Sequence, residues 1–106
     1  MGRKILFITT DQQRYDALGC NGGTIARTPV LDALSRAGIT FDRAHPQNVV
    51  CMPSRSTMLT GQHVSTHGVW MNGVPLPEDA PSIAADLRGA GYATALNGKA
   101  HFEPLL

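Results

Sequence analysis

Apolar and polar positions along this chain fall into blocks that switch between the strand and helix periods. Lys4 to Thr10 is a continuous apolar and β-branched run, the mark of a strand covered on both faces. Asp11 follows at its carboxyl end, where open α/β sheets place their ligands. Val30, Leu31, Leu34 and Ala37 then recur at helical spacing. Thr28 fits the N-cap of that helix, Pro29 its first position and Gly38 its C′ position. Ile39 to Arg43 reads as a short strand leading to His45-Pro46-Gln47-Asn48. A second helix is expected to begin just after Cys51 and run to about Leu59, with Gly61 ending it. Residues 62 to 80 lack periodicity and read as a long loop. A third helix is expected from about Pro81 to Ala90, with Ile83 and Leu87 one turn apart and Gly91 as its stop. Tyr92 to Leu96 reads as another strand, and Asn97-Gly98-Lys99 turns away from its end. Strands alternating with helices predict βαβ units, an α/β fold with a parallel or mixed central sheet flanked by helices.

Composition narrows the class. At 106 residues the chain can form one small domain. Hydrophobic residues at 42% against 16% charged place it among globular rather than disordered sequences. The net charge is +1 with both signs scattered, and nothing marks a nucleic-acid surface or an anionic-membrane anchor. Arg3 and Lys4 precede an apolar run too short for a signal-peptide core, and no stretch reaches transmembrane length. A cytoplasmic location is the expectation. Of the two cysteines, Cys20 sits in the turn Gly19-Cys20-Asn21-Gly22-Gly23 and is expected to stay a reduced thiol.

Cys51 is the distinctive one. It opens the run Cys51-Met52-Pro53-Ser54-Arg55-Ser56-Thr57-Met58-Leu59-Thr60-Gly61, where a lone cysteine would ordinarily be a small buried apolar group. The fixed offsets of Pro53, Arg55 and Leu59-Thr60-Gly61 closely resemble the signature of the sulfatase family. Ile5 to Arg14 resembles that family's first strand and metal-binding turn, and Gly98-Lys99-Ala100-His101 resembles its G-K-x-H motif. Thr66-His67-Gly68 and Asn72-Gly73-Val74-Pro75-Leu76 are similar to stretches of bacterial members. The landmarks keep the family's order and span essentially the whole chain.

The resemblance carries a set of expectations. It implies an alkaline-phosphatase-like fold of which residues 1–106 are the N-terminal part of the catalytic domain. It implies hydrolysis of a sulfate ester through formylglycine, made from Cys51 by a maturation enzyme that reads Cys51, Pro53 and Arg55. Asp11 and Gln12, with an oxygen of the modified residue 51, correspond to ligands of a divalent cation. Calcium suits such oxygens best, with magnesium or manganese as alternatives. Lys99 would contact the sulfate, His101 would orient residue 51 or the attacking hydroxyl, and Asn72 would hydrogen-bond the substrate.

The residues themselves fit that chemistry. Sulfate-ester cleavage needs a nucleophile, cations around the sulfate oxygens and a proton donor for the leaving oxygen. Position 51 at a helix N-terminus favours an anion, and Arg55 lies one turn along the same helix face. Each residue also has a plainer reading. Asp11 could cap a helix, Arg55 could be a solvated surface charge, and the Asn72-Gly73 step is equally a turn signal. Trp70 could line a pocket mouth or simply pack. His45, His63 and His67 read as structural, and Ser54 as satisfying backbone groups. A phosphonate monoester or phosphodiester hydrolase of the same superfamily is the alternative enzyme, with Lys99 and His101 favouring sulfate. An inactive fragment is the alternative outside enzymes.

Overall fold

A computed structural model describes residues 2–102. The chain divides into two compact units, one up to Arg43 and one from Ala44 onward.

The first unit is organised around helix α1, Pro29–Ala37, and two single turns of 3-10 helix, Tyr15–Ala17 and Gly19–Asn21. Helix α1 starts and stops where its sequence signals predict. Thr28 is its N-cap and Pro29 its first residue, since proline has no N–H to lose in the first turn. Thr28 uses its side chain differently from an ordinary cap. Its Oγ1 accepts from the Gly19 N–H at 2.8 Å and donates to Asp32 Oδ1 at 2.9 Å. Asp32 Oδ1 also accepts the Cys20 N–H at 2.8 Å. The pair thus bolts the Gly19–Asn21 turn onto the start of α1. The Thr28 hydroxyl and the Cys20 groups hold the Asp32 carboxyl below its usual range. Gly19 sits so near that a Cβ there would come within 2.6 Å of Asp32 Oδ2. Cys20 is exposed and makes no disulfide in the structure. At the other end, Gly38 has φ −117° rather than the left-handed backbone a C′ glycine usually supplies. Its N–H still closes the helix on the Leu34 carbonyl at 2.9 Å.

The second unit carries the buried residues. Helix α2, Cys51–Thr60, packs against α3, the single turn Val64–His67, and against α4, Ile83–Gly89. Met52, Pro53 and Ser56 of α2 are buried together with His67 and Val69. Helix α2 ends at Gly61, whose φ of 69° is open to glycine at little steric cost. The buried His67 ring ties the pieces together. Its Nδ1 accepts the Val69 N–H at 3.1 Å, so its proton resides on Nε2, which donates to Thr57 Oγ1 at 3.0 Å. Burial pushes the His67 pKa down, toward this neutral form. In α4, Ser82 Oγ accepts from Ala85 N–H at 3.1 Å as an N-cap. The helix closes with Gly91 N–H on Arg88 O and Tyr92 N–H on Leu87 O, both at 3.0 Å, the paired bonds of a Schellman end.

Two expectations are corrected, and a third finds no counterpart among the described residues. No strand forms among the described residues, so the central sheet is not seen. The segments 4–10, 39–43 and 92–96 carry no regular secondary structure. A strand is completed only by a neighbour's hydrogen bonds, and none of the three finds one among the described residues. Ile5, Leu6, Phe7 and Ile8 are accordingly exposed instead of covered on both faces. The stretch 62–80 is not wholly loop, because α3 lies within it. The third helix is shorter than expected, starting at Ile83 because Ser82 takes the cap position. Among the described residues no helix is long and apolar enough to cross a membrane.

Candidate functional site

Cys51 is the first residue of α2, preceded by Val50 in an extended conformation. The lead-in is fixed by Asn48, whose Oδ1 accepts the Val50 N–H at 2.8 Å, a short Asx-type turn. Valine in the N-cap position has no side-chain acceptor for the helix's opening N–H groups. Pro53 has no N–H, and the Ser54 N–H bonds the Val50 carbonyl at 3.2 Å. The Met52 N–H is met from a distance, by Asn72 Oδ1 at 3.0 Å. The next residue reciprocates, as Gly73 N–H donates to Met52 Sδ at 3.0 Å. Gly73 has φ 86°, which fits the Asn-Gly turn signal read from the sequence.

Arg55 lies one turn along α2, and its guanidinium reaches a residue far off in the chain. Nη1 donates to the main-chain carbonyl of Lys99 at 2.9 Å. With that backbone held, Lys99 Nζ stands 4.0 Å from Cys51 Sγ. Cys51 is half-buried and is not in a disulfide. Cys51, Arg55 and Lys99 are therefore brought together, with Arg55 gripping a carbonyl instead of standing as a solvated charge. His101 is half-buried, with its Nδ1 buried and without a hydrogen-bond partner among the described residues. A buried ring nitrogen without a partner loses its hydration uncompensated.

Asp11 and Gln12 belong to the first unit, and both are exposed. Gln12 has φ 53° and His101 φ 57°, and these two are the non-glycine residues with left-handed backbone among those described. Such a conformation costs roughly 1–3 kcal/mol and concentrates at working sites. Both residues were singled out from sequence as a metal ligand and a catalytic group. Among the described residues no group of three or more His, Cys, Asp or Glu side chains is placed to hold a metal ion. A calcium ion takes roughly six to eight oxygens. Asp11 and Gln12 offer a carboxylate and an amide, the right chemistry for a hard cation but a partial set.

Sequence reading missed three connections: the Asn72–Met52 bond, the Arg55–Lys99 carbonyl bond and the His67 bridge. One signal was present for the first. A helix whose N-cap position holds valine needs its acceptor from elsewhere.

Comparison with known proteins agrees with the motif reading. The sulfatase family model matches residues 3–105. An ulvan-active sulfatase of Formosa agariphila is 35% identical over 100 residues, covering 94% of this chain and 20% of that protein. An arylsulfatase of Clostridium perfringens is 36% identical over 106 residues, covering 98% of this chain and 22% of its own length. Mouse steryl-sulfatase is 36% identical over 107 residues, covering 91% and 17%. No solved structure matches. The chain belongs to the sulfatase family, and it spans about a fifth of the length of the curated relatives it matches.

Proposed function

We propose that this segment supplies the nucleophile-bearing part of a sulfuric ester hydrolase. The observation that carries the reading is Lys99 Nζ, 4.0 Å from Cys51 Sγ at the first residue of α2. Sγ stands in for the oxygen that residue 51 would bear once converted to formylglycine, whose hydrated aldehyde supplies the nucleophilic hydroxyl. In the overall reaction the ester's S–O bond breaks, the leaving oxygen takes a proton, and water ends as a hydroxyl on sulfate. The Lys99 ammonium would neutralise sulfate oxygens as charge develops, and the N-terminal end of α2 adds its own positive potential. Arg55 fixes the Lys99 backbone, so the side chain that carries the ammonium starts from an anchored point. His101, with its buried Nδ1, would orient residue 51. A divalent cation belongs to the family's general chemistry. Asp11 and Gln12 would give it two oxygens, calcium being the best match for them, with the rest of its shell supplied by other groups.

The segment is read as the N-terminal part of a larger catalytic domain, on the support of its one-fifth coverage of the relatives. On that reading segments 4–10, 39–43 and 92–96 become strands when further chain pairs with them. Sulfate esters are the proposed substrates, and a formylglycine-forming enzyme is the proposed maturation partner.

Two measurements test this. Mass spectrometry of the peptide containing residue 51, after expression in a host with the maturation machinery, should find the aldehyde in place of the thiol. An aryl sulfate should be hydrolysed, with Cys51→Ala reducing turnover to background and Lys99→Ala lowering it about a hundredfold or more. An intact thiol, or faster turnover of a phosphonate ester than of the sulfate, would overturn the assignment.

A further inference from the structure

We infer that Asn72 is a positioning residue: it is the side-chain N-cap of α2, delivered from 20 residues downstream, and it sets the first turn on which residue 51 stands. An N-cap side chain normally accepts from the second or third residue of its helix. Met52 is the second residue of α2, and Asn72 Oδ1 accepts its N–H at 3.0 Å. The residue in the cap position, Val50, makes no such bond. Pro53 has no N–H, and the Ser54 N–H is taken by the Val50 carbonyl. Asn72 therefore serves a donor that no local side chain is bonded to.

Two features show that the bond is built rather than incidental. Met52 is 1% exposed, so its N–H would lose water without replacement if Asn72 withdrew. The contact is also doubled, since Gly73 N–H meets Met52 Sδ at 3.0 Å. The turn holding Asn72 is itself closed by Val74 N–H on Met71 O at 3.4 Å. A backbone N–H can only donate, so the Asn72 amide is oriented with its oxygen on Met52 and its NH2 group elsewhere. This gives Asn72 a task separate from substrate contact. The inference rests on the proposed function only for the claim that residue 51 is the reactive position.

Amide hydrogen exchange at Met52 tests it without any hydrolytic assay, so the two readings can fail independently. In Asn72→Ala the Met52 amide should exchange roughly fivefold or more faster, the size expected for losing a cap, while Leu59 at the far end of α2 keeps its rate. Asn72→Asp retains an oxygen acceptor and should restore slow exchange at Met52. Unchanged exchange in Asn72→Ala, equal acceleration at Met52 and Leu59, or an Asp variant as fast as the Ala variant would each overturn the assignment. The unsubstituted protein offers a second measurement that survives a misfolded variant. Scalar coupling across the hydrogen bond, between the Met52 amide nitrogen and the Asn72 side-chain carbonyl carbon, should be detectable, and its absence would overturn the inference as well.

Discussion

Helices α1 and α2 invert what their sequences promise. Helix α1 has the apolar stripe, the proline start and the glycine stop of a core-facing helix, yet none of its residues is buried, and Val30 is 78% exposed. Helix α2 mixes small, polar and apolar residues with little helical patterning, yet it holds three of the buried residues, Met52, Pro53 and Ser56. Local signals set where a helix begins and ends, because caps and breakers act within a turn. What a helix face covers depends on chain brought from elsewhere. For α2 that chain is close by, in α3 and the 69–73 stretch. For α1 the described part of its unit offers only the turn at Gly19–Asn21.

The sharpest test of this contrast is Met52→Ala. It removes a fully buried side chain and the sulfur that accepts the Gly73 N–H, and should cost about 2–5 kcal/mol, read as a fall in unfolding free energy in denaturant. A loss below about 1 kcal/mol would mean that α2 is no better packed than α1.

A smaller effect concerns acidity. The folded-state pKa of His67 is lowered from 6.5 by burial, and its Nδ1 must stay unprotonated to accept the Val69 N–H. Below pH 6.5 the unfolded chain therefore binds a proton that the folded one resists, so stability falls as pH drops through that value and toward the lower folded pKa. Unfolding free energies measured at pH 7.5 and pH 5.5 (values chosen to bracket roughly 6.5) should show the loss. Equal stability at the two would place His67 outside the packed centre of its unit.

The smallest effect belongs to α1. Val30→Ser should change stability by no more than about 0.5 kcal/mol. A cost of about 2 kcal/mol, the size seen on truncating a buried aliphatic side chain, would show that the stripe is covered in the protein by chain beyond that described.

Legibility followed the same divide. The ends of α1 and α2 and the Gly91 stop were readable because Thr28-Pro29, Gly61 and Gly91 act locally. Helix α3 was missed because one turn is too short for periodicity, and its ends at His63 and Gly68 look like any loop. The strands were inferred from run composition alone. Strand pairing is non-local, and segment 4–10 has apolar character without a neighbour among the described residues. In the candidate site, the spacing around Cys51 and Lys99 singled out residues that the fold brings together. The bonds that arrange them were not, because Asn72 and Arg55 both act on main-chain groups, which every sequence has and none advertises.

Arg55 recognises position 99 by its carbonyl, which is the same for any amino acid placed there. A substitution at 99 would exchange the headgroup facing residue 51 while the rung beneath it keeps its height. The identity of the side chain at 99 and the anchoring of its backbone are thereby made separable, with Arg55 as the fixed point.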